Sequence, residues 1–151
     1  MPLLQQTAPY PHWEFSDPVS GDVLRVVPER GGLISGWRCN GHEVVYLDLQ
    51  RFLDPDQSVR GGLPVLFPMT GGLPNNELPL PQGIFKLAQH GFARQVPWEL
   101  AALPDGRGVQ LILSETAETL QVYPFRFQLT MDVRLAPGAL EISATVENRD
   151  Q

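Results

Sequence analysis

The chain has 151 residues, a formal net charge of −6 and a single cysteine. That length suits one domain, and the acidic balance argues against non-specific nucleic-acid binding, which needs phosphate neutralisation. One thiol excludes an intrachain disulfide and fits a reducing, cytoplasmic setting. No apolar run approaches the roughly 18 residues of a membrane span. The stretch Met1–Trp13 lacks the basic flank and apolar run of a signal peptide, so neither a nucleic-acid nor a membrane partner is expected.

Pro2, Pro9, Pro11, Pro18 and Gly21 break the first residues into an extended leading segment, with a short strand near Trp13–Phe15. Val23–Val27 is rich in β-branched residues and reads as a strand, followed by a turn over Pro28–Gly32. Leu33–Cys39 and His42–Leu49 are two β-type runs flanking Asn40-Gly41, a pair suited to the two positive-φ positions of a type I′ hairpin turn. Cys39 lies inside the first run and is expected to be an inert core thiol. The polar Asp54-Pro55-Asp56-Gln57-Ser58 then turns the chain towards Arg60.

The region 60–98 shows little helical or strand periodicity and is dense in Gly and Pro. Loops longer than about 12–15 residues inside a domain are usually functional or disordered. Leu63, Val65, Leu66, Phe67, Phe85, Phe92 and Trp98 offer anchors to a core, so an ordered site loop is expected. Beyond it, Trp98–Leu103 and Val109–Glu115 read as strands across a turn at Pro104–Gly108. Thr116–Gln121 is ambiguous, with room for one helical turn. From Phe125 to Leu135, apolar and polar residues alternate strictly, the mark of a strand with one buried face. Ala136-Pro137-Gly138-Ala139 turns the chain into a second alternating run, Leu140–Val146, giving a long antiparallel pair. With no long helical pattern, the fold class is all-β, an antiparallel β-sandwich. Such domains often run to roughly 200–250 residues. The sandwich is therefore expected to be incomplete at its C-terminus, leaving uncovered strands through which the chain could self-associate.

Among residues that could carry chemistry, His90-Gly91-Phe92-Ala93-Arg94 is the sharpest group. Gly91 lets backbone pass close to a ligand, His90 can donate to a substrate oxygen or shuttle a proton, and Arg94 offers a planar fork for phosphate or paired hydroxyls. The plain alternative is a His on a backbone carbonyl and an Arg in a surface ion pair. Arg60-Gly61-Gly62 can form an anion nest or simply a tight turn with a solvated Arg. Gln89 can hydrogen-bond a polyol. Lys86 and His42 suggest solvated side chains, and His12 carries little signal. No HxH, HExxH or CxxC pair suggests a metal, and no GxSxG suggests a serine nucleophile.

The ordered motifs Arg60-Gly61-Gly62-Leu63-Pro64-Val65-Leu66-Phe67-Pro68, Gln89-His90-Gly91-Phe92-Ala93-Arg94 and Trp98 together resemble the aldose 1-epimerase (mutarotase) superfamily, and within it the glucose-6-phosphate 1-epimerase branch. Gly31–Trp37 with Asn40–Tyr46 is similar to that family's early hairpin, and Leu140–Asn148 to its strand ending in V-x-N. The resemblance implies that residues 1–151 are the N-terminal part of one mutarotase-like β-supersandwich. It implies a sugar or sugar-phosphate ligand held by Arg60, Gln89, His90 and Arg94, and no cofactor. In the family's reaction a Glu base takes the anomeric hydroxyl proton and a second His, the acid, protonates the ring oxygen. The ring opens, rotates about C1–C2 and recloses. The acid His follows the V-x-N strand and the base Glu lies later still, so neither position falls within residues 1–151. Glu115 and Glu118 are the nearest carboxylates. The alternative function is a non-catalytic carbohydrate-binding or interaction module.

Overall fold

Two antiparallel sheets face each other across one apolar core, and a small hairpin projects from the segment between them. The computed structural model describes residues 3–151; Pro2, one of the expected breakers, lies outside them. The first sheet runs in sequence order through β1 (Leu3–Gln6), β2 (His12–Ser16), β3 (Val23–Val27), β4 (Leu33–Cys39) and β5 (His42–Glu43). The second has the order β11-β10-β9-β8, where β8 is Glu99–Ala102, β9 Gly108–Ser114, β10 Phe127–Ala136 and β11 Ala139–Asn148. The hairpin pairs β6 (Glu77–Leu80) with β7 (Gly83–Lys86). Among the described residues, two short α-helices, α1 (Leu49–Leu53) and α2 (Ala117–Val122), and two 3-10 turns join the strands. No helix among them is long and apolar enough to cross a membrane.

The core follows from strand alternation. Phe15, Leu24, Val26 and Ile34 point inward from the first sheet, and Val109, Leu111, Leu113, Phe127, Leu129, Val133 and Leu135 from the second. Residues of the 60–98 region enter the same core: Leu87, Phe92, Ala93 and Trp98 are buried in it, and Val65 and Phe67 pack against it. A smaller cluster of Tyr10, Val27, Leu33 and Phe52 lies beside the first sheet. The Asn40-Gly41 hairpin forms as expected, with φ of 50° and 79° at its two residues. Cys39 is buried; that burial, with the Asp22 carboxylate beside it, pushes its thiol pKa up.

Three local expectations change. The leading segment holds two paired strands, not one, with Leu3 opposite Phe15. The run His42–Leu49 is strand only to Glu43, because Asp48 caps α1: its carboxylate accepts the Arg51 N–H at 3.1 Å. Leu49, Phe52 and Leu53 stand at helical spacing after that cap, and Phe52 is the buried one. The 60–98 region contains a hairpin where no strand pattern was legible, because Pro79 and Gly83 interrupt its alternation. The ambiguous stretch after Glu115 does form a helix, α2, closed by a reciprocal bond between Thr116 and Thr119.

The last strand is unlike its neighbour. β10 pairs on both sides and buries its apolar face, whereas β11 pairs only with β10. Ile142 and Val146, opposite Val133 and Leu129, remain 42% and 58% exposed. An edge strand without a facing sheet gives its alternating side chains nothing to pack against.

Glu115 joins the two ends of the α2 connection. Its carboxylate accepts the Phe127 N–H at 3.1 Å and the Arg126 guanidinium at 3.3 Å. Burial raises the Glu115 pKa, but these donors and its own backbone N–H outweigh burial and leave it below the ordinary carboxylate value. A carboxylate depressed in the folded state contributes stability above its unfolded pKa, about 4.3, and loses it as pH falls through the lower folded value. Glu115→Gln should therefore lower the urea midpoint at pH 7, by about 1 kcal/mol in stability. The gap to the parent protein should close progressively as pH drops below about 4.3; an unchanged gap at low pH would contradict this assignment.

Candidate functional site

The two motif-bearing segments are drawn together by backbone. The Phe67 carbonyl accepts N–H bonds from Phe92 at 3.0 Å and Ala93 at 3.2 Å, and Phe67 forms a parallel bridge with Gly91. Gly91 is needed there for two reasons. Its φ is 70°, and a Cβ at this position would lie 2.2 Å from the Phe67 carbonyl oxygen. The rings of Phe67, Phe92, Tyr123 and Phe127 then pack edge-on and tilted beneath the junction.

His90 sits directly before that contact in a left-handed conformation, φ 69°, which side-chain-bearing residues rarely adopt. Two bonds hold it. Its amide donates to the Gly71 carbonyl at 2.8 Å, and Nδ1 donates to the Thr70 carbonyl at 2.6 Å. A carbonyl only accepts, so Nδ1 carries the proton and Nε2 of the neutral ring carries the lone pair. The half-buried ring thus presents an acceptor that a sugar hydroxyl can meet. Gln89 is exposed, and its side chain lies against Gly72.

Arg94 lies in a single 3-10 turn, Ala93–Gln95, pinned by the Trp98 indole N–H donating to the Ala93 carbonyl at 2.8 Å. Gly31 packs so closely on the Arg94 backbone that a Cβ there would stand 2.2 Å from its carbonyl oxygen. The Arg94 Nε is buried without a hydrogen-bond partner. Its side chain lines a cavity of about 570 Å³ together with Arg30, Leu33, Gln57 and Ser58. Arg60 lies next to Gly61, which also lines this cavity, but its guanidinium is exposed and bonds to Ser58 and Val59. A second cavity, of about 510 Å³, is lined by Asn75, Asn76, Lys86, Phe92 and Gln95. Neither cavity is lined by Arg60, Gln89 or His90. Arg94 and the Arg60 segment thus share one cavity wall, while Gln89 and His90 face the 70–72 backbone.

The paired glycines after Arg60 serve close packing rather than an anion nest. Gly62 donates to the Tyr46 carbonyl at 2.7 Å and Leu63 to the Ile34 carbonyl at 2.9 Å. A Cβ on Gly61 would meet the Tyr46 carbonyl at 2.4 Å. Other candidates are also accounted for. Lys86 is exposed and paired with Glu77 at 2.8 Å, His42 is exposed, and Glu115 is held in the strand connection. His12 is buried, with Nδ1 donating to the Tyr10 carbonyl at 2.7 Å. Sequence reasoning missed Arg30 and Ser58, which line the cavity with Arg94, and Arg51, which donates to Ser58. The signal that could have found the Arg51–Ser58 contact is Asp48 as a helix cap before Leu49, which turns Arg51 back towards Ser58.

The tight junction predicts a large difference between two glycines of the same backbone sign. Gly91→Ala should destabilise the protein by more than about 1 kcal/mol and displace the His90 ring resonances in an NMR spectrum. Gly106→Ala, with φ 70° but open space around it, carries backbone strain alone and should leave those resonances in place. Equal effects would show that the contact with Phe67 is not what fixes His90.

Comparison with known proteins bears on the family and the fold. The aldose 1-epimerase family model matches residues 21–151. Two curated relatives carry the name "Putative glucose-6-phosphate 1-epimerase": one from Cenchrus ciliaris, 30% identical over 128 residues, and one from Escherichia coli, 29% identical over 110. The match covers 78% and 70% of this chain but only 36% and 34% of those proteins. Among solved structures, the Slr1438 protein of Synechocystis sp. PCC 6803 is 37% identical with a TM-score of 0.84, over 91% of this chain and 48% of that one. A galactose mutarotase-like protein from Lactobacillus casei shares the fold, at 22% identity and a TM-score of 0.75, over 98% of this chain and 45% of that one. The sequence thus spans about a third of the curated relatives and under half of these structures. With the family match running from residue 21 to residue 151, over both motifs, β3 to β5 of the first sheet and the whole of the second, the chain belongs to the aldose 1-epimerase family.

Proposed function

We propose that residues 1–151 are the N-terminal, sugar-recognising part of one mutarotase-like domain that interconverts the α and β anomers of an aldohexose or hexose 6-phosphate, acting in the cytoplasm. The observation that carries this reading is the tie between the two motif segments, in which one carbonyl, Phe67, binds the chain on the far side of Gly91. In this reading His90 Nε2 and the Gln89 amide meet ring hydroxyls. Arg60 and Arg94 take the phosphate, where charge-assisted bidentate bonds favour a guanidinium. The names of the curated relatives support a hexose 6-phosphate.

Mutarotation needs a proton removed from the anomeric hydroxyl and another delivered to the ring oxygen. His90 can handle one. Glu115 has its carboxylate engaged by Phe127 and Arg126, so it does not supply the other. Proton transfer contributes about 10²–10⁴-fold to such a step, and the acid and base positions of the family fall outside residues 1–151. Purified 1–151 should therefore leave the polarimetric rate of anomer interconversion at its spontaneous value. We also propose that the free edge of β11, with Ile142 and Val146 exposed, makes this polypeptide self-associate, which light scattering reads directly. Catalysis by a monodisperse monomer would overturn both statements. A non-catalytic carbohydrate-binding module is the second reading, favoured by the engagement of Glu115. Sugar binding without turnover in the longest form of the protein would select it.

Arg94→Ala should weaken binding of glucose 6-phosphate by about tenfold, the worth of one charge-assisted bond, and leave glucose binding little changed. Calorimetry with both ligands checks this. Equal losses would assign Arg94 to the ring or to the fold instead of the phosphate.

A further inference from the structure

In a chain of net charge −6, six arginines make no ion pair among the described residues; Arg38 and Arg107 lie in β4 and in the turn between β8 and β9, and the other four are Arg30, Arg51, Arg60 and Arg94. All four surround one loop, residues 54–60. Arg30 donates to the carbonyls of Phe52 and Gln57 and lies 4.2 Å over the Phe52 ring. Arg94 shares the cavity wall with Arg30, Gln57 and Ser58. Arg51 donates through Nε to the Ser58 carbonyl at 2.6 Å and through Nη2 to Ser58 Oγ at 2.9 Å. Arg60 donates through Nη1 to the same Ser58 Oγ, also at 2.9 Å.

Two cations therefore converge on one neutral oxygen. Their donor nitrogens are within about 6 Å of each other, a separation at which like charges repel. The backbone enforces this meeting. Asp48 donates its amide to the Arg60 carbonyl at 2.9 Å while its carboxylate accepts the Arg51 amide at 3.1 Å, so one residue fixes both arginine backbones. The nearby Asp54 carboxylate is turned to the Asp56 amide, at 3.0 Å. A hydroxyl offers lone pairs but no charge, whereas a phosphate at the same point supplies both. Glu29 and Asp56 also line the cavity. They disfavour a second anionic group, which favours a ligand with one phosphate on an uncharged body.

We propose that Arg51 and Arg60 form a phosphate-binding pair centred on Ser58, and that the phosphate of a sugar phosphate monoester binds there, at the mouth of the cavity that Ser58 shares with Arg94. This rests on the mutarotase reading for the sugar, and adds Arg51 and Ser58 to the residues that recognise its phosphate. The Ser58 hydroxyl turns to donate to the incoming oxygen, and each guanidinium exchanges a neutral acceptor for a charged one.

The experiment is an NMR titration of the full 151-residue chain with inorganic phosphate, glucose 6-phosphate and glucose, following the Nε–Hε resonances of Arg51 and Arg60. Both phosphate species should shift both resonances, and glucose neither. Arg51→Gln and Ser58→Asp should each weaken glucose 6-phosphate binding by about tenfold without changing that of glucose. The new carboxylate in Ser58→Asp acts as a built-in anion between the two cations, so this variant tests the pair even if Arg51→Gln fails to fold. Unshifted arginine resonances, or full affinity in Ser58→Asp, would overturn the proposal. Weakening by Arg94→Ala but not by Arg51→Gln would overturn it while leaving the mutarotase reading intact. Arginine shifts with inorganic phosphate, but no affinity for glucose 6-phosphate or glucose, would overturn the sugar-phosphate assignment and remove the mutarotase reading with it.

Discussion

The site depends on the close approach of Gly91 to the carbonyl of Phe67. That carbonyl accepts two N–H groups, from Phe92 and Ala93, and places the chain leaving Gly91 directly on the chain entering Pro68. Only a residue without a Cβ can stand there. The geometry propagates in both directions. Upstream, His90 is forced into a left-handed conformation and its ring is seized by the Thr70 carbonyl. Downstream, the chain makes one tight turn and delivers Arg94 to the wall behind Gly31. Strain of this kind persists only where surrounding packing determines it, and here the aromatic group under Phe67 and Phe92 supplies that packing.

Charge is divided by location. Along the sheets, Arg25 pairs with Glu14 and Glu43, Arg134 with Asp105, and Arg126 with Glu115. Pairs of this half-exposed kind contribute modestly to stability. Around residues 54–60 the arginines bond to carbonyls and to a hydroxyl, acceptors that leave their charge uncompensated. The net acidity of the chain therefore coexists with arginines gathered beside a cavity that Glu29 and Asp56 also line. Composition alone could say only that such a pocket was not excluded.

The second sheet shows how neighbours, not sequence pattern, decide burial. β10 and β11 alternate equally well, and their residues stand opposite each other in continuous register. Val133 is fully buried, yet its partner Ile142 is not, because β10 lies under the first sheet and β11 lies at the edge. The same alternation thus produces a core strand in one case and an open apolar face in the other.

What the sequence determined was set by local physics. β-branched content placed β3, β-type runs marked β4 and β9, and period-2 alternation placed β10 and β11. Asn40-Gly41 fixed the hairpin between β4 and β5, since those residues tolerate positive φ, and Pro137-Gly138 fixed the last turn. The joined motifs around Arg60 and His90 marked the family. What only tertiary structure decided were features made by residues distant along the chain. The β6–β7 hairpin was hidden because Pro and Gly break its alternation. The fate of the Gly62 and Leu63 amides was hidden because their acceptors, the carbonyls of Tyr46 and Ile34, lie on earlier strands and loops. The meeting of Arg51 with Arg60 was hidden because it requires a five-residue helix capped by Asp48 to fold back on Ser58. Short-range rules specify backbone conformation residue by residue; which side chains then share a point in space depends on how the sheets pack, and no window of sequence contains that.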